Sequence, residues 1–516
     1  IGALTTSQVA ALTTAQTAAL TSNQTIGLSS TQTSALTSSD LIRLSTSAFE
    51  AMVPQAITGF SSAQIAALRT DQVAALDSAV IETLTTAQVM ALGTAQMPAL
   101  TTAQLSRLGD AQIKVVETAD LASLTTTQVR ALSNEQVIAL TTTQMPALTT
   151  AQVAALSTSQ VAAIENADMA VLTSVQVAAM GTAQVKALTA DHVAALNTSQ
   201  IAALKTDQIA ALDPADMESL NTQNIIALNS AQVGALTTAQ ITRLLQNQLQ
   251  AFETADLAGL STDQIQSLSD EQVGWLTTSQ FAGLKASQVA AFTSSQIATI
   301  EKPDLVVLSS AQLGVLSTYQ MKSLTADQVA ALTTDQITTL KSDQLAALDS
   351  GDIESLTTAQ VVALNSAQLG ALTTAQISRF SDKLIQAMET ADMAGLTTDQ
   401  IRALSNDQVG WLLTAQVAAL KVAQVAAFNT SQIASLEKVD LAVMTSAQIY
   451  GLSTTQVNAL LEDQVAVLTT DQVVAMRSDQ VAALSSATMA SLTTSQMVAL
   501  NSLQLSAMTT TQLSQL

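Results

Sequence analysis

The chain has 516 residues, of which 11% are charged, 2% are aromatic and none is cysteine, and 18 basic against 40 acidic side chains give a formal charge of −22. That charge repels phosphate backbones, which argues against nucleic-acid binding, and without cysteine neither disulfides nor thiol chemistry can contribute. The core must be built from Leu, Val, Ile, Met and Ala in small pieces, because large aromatic anchors are scarce. Mean hydropathy is positive at +0.34, but it comes from alanine, and Thr, Ser, Gln or Asp interrupts every apolar run before the roughly 18 to 20 residues of a membrane span. The opening "IGALTTSQVA" carries neither Met nor a signal peptide. We therefore expect a processed product or part of a longer chain.

One period governs the sequence from its first residues. Stepping by eight from Leu4 to Leu516, all 65 positions are apolar and 51 are Leu, and stepping by eight from Gln8, 48 of 64 positions are Gln. The octad reads L-[T/S]-x-x-Q-V-x-A. Thr or Ser followed three residues later by Gln is a capping box, which satisfies two orphan N–H groups where a helix begins. Helix starts are thus written every eight residues, leaving about one and a half to two turns per helix, too short to stand alone. Such helices must stack on their neighbours, so the octad predicts an all-α, single-chain α-solenoid. A β-solenoid is the alternative, favoured by Thr and Val but disfavoured by the Ala, Leu and Gln content and by apolar spacings of three and five.

The exceptions come in order along the chain. "STSAFEAMVPQAITGF" at 45–60 loses its Gln, and the octads "GDAQIKVV" at 109, "LQNQLQAF" at 245 and "SDKLIQAM" at 381 also leave the consensus. Acidic pairs of the form [E/D]-x-x-D replace Thr and Gln at Glu117/Asp120, Glu165/Asp168, Asp213/Asp216, Glu253/Asp256, Glu301/Asp304, Asp349/Asp352, Glu389/Asp392 and Glu437/Asp440. Their steps are 48, 48, 40, 48, 48, 40 and 48, a pattern that closes after 17 octads, so that Glu117, Glu253 and Glu389 differ by 136 in number. Arg69, Lys205, Lys341 and Arg477 keep the same spacing, and Trp275 stands opposite Trp411. Lys205 and Lys341 precede Asp213 and Asp349 by one octad and are expected to pair with them.

Duplication explains 136 but not the inner steps, which approximate a spacing of about 45 residues in a chain locked to multiples of eight. Helices about 8–10 Å apart wound 45 to a turn would enclose an apolar hole, so a solid solenoid of about 23 residues per turn is expected. The acids then form a stripe on every second turn. Three readings of that stripe remain open: N-terminal capping chemistry, docking of a neighbouring rod or basic partner, and cation binding. The cation reading is the weakest, since two carboxylates supply few of the six to eight oxygens calcium requires. His192, alone at a Gln position, has no nucleophile to serve and is not expected to be catalytic.

The unit "LTTDQITTL" at 332–340 resembles the first helix of a TAL-effector repeat, but the second helix and the base-reading loop are missing, so DNA reading is not implied. The chain as a whole is similar to long bacterial octapeptide-repeat proteins rich in "ALTTAQV". That resemblance implies an extracellular or cell-surface setting. The combined expectation is one continuous solenoid over residues 1–516, about 200 Å long if some 23 turns rise about 9–10 Å each. It is expected to be non-enzymatic and without cofactor, self-associating by stacking and lateral docking into a filament or fibre. The alternative is the stalk of an adhesin or of a glycan- or ice-binding protein.

Overall fold

The computed structural model describes residues 1–515. Among these residues are sixty α-helices and four 3-10 helices, each of three to six residues, and no strand. The α-solenoid expectation holds and the β-solenoid alternative falls.

One octad shows the local cause. Ser61 is extended (φ −71°, ψ 159°); its hydroxyl accepts from the Gln64 N–H at 3.3 Å, and the Gln64 side-chain oxygen accepts from the Ser61 N–H at 2.6 Å. With both donors satisfied the helix Ser62–Ala67 begins. It stops at Leu68, which is extended again (φ −60°, ψ 140°), as is Arg69 after it. These two residues redirect the chain into Thr70–Ala74. No described residue has a positive φ, so the redirection uses only backbone conformations open to every L-residue and needs no glycine. Pro98 and Pro146, two places beyond the Gln, remove an amide donor, and their octads form the 3-10 helices Met97–Ala99 and Met145–Ala147 instead.

Most octads bury three side chains. In octad 69–76 these are Gln72, Val73 and Leu76, while Thr70, Asp71 and Ala74 face outward. Helices this short are stable only through packing, and every substantial helix–helix contact joins helices three octads apart. Backbone approaches refine the turn. A Cβ on Gly259 would lie 2.1 Å from the Ser230 carbonyl oxygen of the turn before, and one on Gly234 would lie 2.7 Å from the Gly259 oxygen of the turn after. Gly395 with Ser366, and Gly370 with Gly395, repeat both approaches. The two separations, from 230 to 259 and from 234 to 259, bracket one turn on either side. A turn therefore takes about 27 residues, the separation between Lys341 and the Gly314 carbonyl that its ammonium reaches. This corrects the expected 23: the volume argument filled the interior with Leu and Val alone, whereas buried Gln side chains occupy it too.

By its contacts the chain divides into two compact units, Ile1–Leu260 and Ser261–Leu516. The first contains the Phe49–Phe60 pair, with ring centroids 6.3 Å apart, and the second the Phe281–Phe292 pair at 6.2 Å. Among the described residues no helix is long and apolar enough to cross a membrane.

Candidate functional site

The repeated polar feature of the interior is a ladder of buried glutamines. The Gln160 side-chain oxygen accepts from the Ser157 N–H at 2.7 Å, and its Nε2 donates to the Val129 and Leu132 carbonyls at 2.9 and 2.8 Å, 31 and 28 residues earlier. Gln64, Gln240, Gln376 and Gln480 repeat the arrangement. Helix ends leave carbonyls without partners. Here the Gln that caps the start of its own helix also caps the end of a helix one turn earlier. A primary amide suits the task because it joins an acceptor to two donors on a long stem.

Two substitutions show what a rung requires. His192 places Nδ1 3.2 Å from the Thr189 N and Nε2 2.7 Å from the Ile164 carbonyl oxygen. An amide N–H can only donate, so Nδ1 accepts and Nε2 carries the proton. His192 thus copies both roles of Gln. Asn224 is shorter, yet its Nδ2 still donates to the Leu196 carbonyl, 28 residues earlier, at 2.9 Å.

The acidic octads break the ladder. In every pair the outer residue is exposed, while the inner Asp stands at the Gln position. Asp168, Asp304 and Asp440, which sit 17 octads apart, are 2%, 5% and 1% exposed; Asp120 is also buried, and Asp216, Asp256, Asp352 and Asp392 are half-buried. An ionised Asp only accepts, so the rung loses its donor. Asp256, Asp304 and Asp392 instead accept from the hydroxyls of Ser230, Thr278 and Ser366 at 2.8, 2.7 and 2.6 Å. Neither carboxylate oxygen of Asp440 completes a hydrogen bond, although the Thr414 hydroxyl and the Glu437 backbone lie near enough to favour its ionised form.

Burial first, and the outer carboxylate second, push the Asp168 pKa up to about 6. The same causes in the same order raise Asp120, Asp216 and Asp352. Burial also raises Asp304 and Asp440 against the opposing hydroxyls of Thr278 and Thr414. Capping explains only two outer residues: Asp213 and Asp349 accept from the N–H groups of Ala215 and Gly351 at 2.9 and 2.8 Å. Glu117, Glu165, Glu253, Glu301, Glu389 and Glu437 make no such bond.

Among the described residues of each unit no two acidic octads are in substantial contact, because such contacts join helices three octads apart and the acidic octads lie five or six apart. Within the first unit the helices that follow Glu117, Glu165 and Asp213 are linked in one stack through the helices Met145–Ala147 and Ala190–Ala195 between them. Neither Lys205–Asp213 nor Lys341–Asp349 is among the ion pairs of the described residues. Lys341 donates instead to the Gly314 carbonyl of the preceding turn at 2.6 Å, and Arg69 and Arg477 likewise reach the carbonyls of Ile42 and Tyr450. Among the described residues no three His, Cys, Asp or Glu side chains lie together as metal ligands.

A second inter-turn feature escaped the sequence reading. Glu82–Arg107, Glu218–Arg243 and Glu354–Arg379 pair across 25 residues at 3.8, 3.8 and 3.2 Å, as do Lys302–Asp327 and Lys438–Asp463 at 3.0 and 2.8 Å. Opposite charges at that separation, recurring every 17 octads, were the signal. Where 45–60 lacks Gln, Thr25 and Thr33 occupy core Val positions and donate to the Ala48 and Ala56 carbonyls at 2.8 and 2.5 Å. Those octads exchange one inter-turn bond for another.

A search of curated proteins finds no match. A family model described as the ALTTAQ repeat matches residues 74–102, 113–150, 161–198, 209–245, 249–286, 297–334, 345–382, 385–422 and 433–470. From 113 onward each match begins four residues before an outer acid, Glu117 through Glu437. The 48-48-40 schedule is therefore also the spacing at which these matches begin, each taking in one acidic octad near its start. The matches span most of the sequence, and the chain belongs to the ALTTAQ-repeat family.

Proposed function

We propose that this protein is a non-catalytic structural element of an extracellular or cell-surface bacterial fibre, assembled from copies of the chain. The observation that carries this reading is the ladder: the octad's buried polar side chain is spent on joining one turn to the next, at Gln64 as at Gln480. A chain that repeats one mechanical bond in this way suits bearing length and load better than gathering unlike groups around a substrate. The extracellular setting rests on the resemblance to surface and secreted repeat proteins. Self-association would use the exposed outer acids, with cations or a basic face of a neighbour as their counterpart.

Electron microscopy of native material tests the proposal. Long uniform filaments support it; isolated stalks ending in globular heads favour the adhesin alternative and overturn it. Replacing the exposed Glu165, Glu301 and Glu437 with Gln should leave the helix signal intact and weaken lateral association. Unchanged assembly would remove the outer acids from the docking surface.

A further inference from the structure

Asn224 bears on the acidic octads, because asparagine has the length and branching of aspartic acid. Its Nδ2 reaches the carbonyl 28 residues earlier. A protonated Asp at a Gln position has an O–H at the same reach, whereas an ionised one has none. We propose that Asp168, Asp304 and Asp440 are proton-operated rungs. Ionised, each leaves the carbonyl of Leu140, Leu276 or Leu412 without the N–H a Gln supplies; protonated, each donates an O–H to it and closes the ladder.

The surroundings of the three sites suit this role. In the preceding turn the octads 141–148, 277–284 and 413–420 contain no charged residue, and the octads that end at Leu140, Leu276 and Leu412 carry only acids, Glu135, Asp270 with Glu271, and Asp407, so no cation holds the buried carboxylate ionised from that side. The following turn brings Asp191 and His192 against the helix Asn166–Val171, Asp327 against Lys302–Val306, and Glu462 with Asp463 against Lys438–Val443. Lys302 and Lys438 are engaged by Asp327 and Asp463. Each helix also carries its own outer acid, Glu165, Glu301 or Glu437. Asp440, with no completed hydrogen bond, is the clearest open rung, while Thr278 partly satisfies Asp304. The upward shift of all three carboxyls supports the same assignment.

A carboxyl raised in the folded state binds its proton more tightly there than in the opened chain. Its contribution is fully present below the unfolded value of 3.8 and is lost as the pH rises through about 6 for Asp168. Amide hydrogen exchange of the full chain at about pH 5 and about pH 7.5, corrected for intrinsic rates, reads this out. The helix holding Asp168 should exchange about tenfold more slowly at the lower pH, and those holding Asp304 and Asp440 should shift in the same direction. The Gln helix Thr150–Ala155 should not shift. The variant D168N/D304N/D440N should show the slow rates at both pH values, and E165Q/E301Q/E437Q should keep a pH dependence. Equal protection of the wild-type helices at both pH values, or a pH dependence that survives the Asn variant, overturns the proposal. If the Asn variant folds poorly, the wild-type comparison decides alone.

Discussion

The glutamine side chain is the smallest unit of this fold with a consequence beyond its own octad. Gln160→Ala removes the donor to Val129 and Leu132 and the acceptor for Ser157, leaving buried groups unpaired at about 1–3 kcal/mol each. A loss of about 2–4 kcal/mol is expected by urea denaturation. Gln160→Asn should lose less, since Asn224 keeps the bond 28 residues back. Equal losses would show that the rung is not what Gln provides. The half of Gln that caps its own helix was legible in the sequence, because Thr-x-x-Gln is a local pattern. The half that crosses to the previous turn was not, because its partners are backbone carbonyls, which leave no mark on residue type. Burial of the inner acids was hidden for the same reason: a change from Gln to Asp reads as a surface variant until the Gln is known to be inside. At this scale the sign of the pH response also follows. The whole chain should melt at a higher temperature at about pH 5 than at about pH 7.5, since raised carboxyls such as Asp168 lose their stabilising contribution over that window. A melting temperature that falls on acidification would contradict it.

At the scale of the element, each helix is defined by its ends. The Thr149 hydroxyl accepts from the Gln152 N–H at 3.2 Å, and Thr149→Ala should cost about 1 kcal/mol. That effect should be confined to the neighbouring turns. Close approach between elements matters more. Gly259 and Gly395 each lie so near a serine of the preceding turn that a Cβ would sit 2.1 Å from its carbonyl oxygen. Gly259→Ala must push two turns apart and should cost about 1–3 kcal/mol, whereas Gly274→Ala, with open space around it, should be neutral or slightly stabilising. Thermal denaturation of the two variants separates them, and equal melting temperatures would refute the close-packing argument. Helix positions were legible to within a residue because caps and propensity agree. The order of packing was less so. Apolar spacing gave a solenoid, but the turn length came out at 23 rather than about 27, because polar interior volume was left out of the reckoning.

At the scale of the whole molecule, the acidic schedule carries a different meaning from the one its arithmetic suggested. Steps of 48 and 40 approximate 45, which suggested a geometric cause. From 113 onward the family matches open four residues before the same acids, so the schedule follows the family repeat. The inter-turn ion pairs of Arg107, Arg243 and Arg379 recur with it. Exposed as they are, such pairs add little stability. Stability belongs to the contacts between turns, and it should therefore accumulate with the number of turns. The most direct measurement is a urea-denaturation series on fragments of the second unit, shortened by one turn at a time and followed by far-ultraviolet circular dichroism. Helical spectra whose midpoints rise with each added turn and then level off are predicted. A three-octad fragment that folds alone, or midpoints independent of length, would contradict a solenoid held together turn by turn.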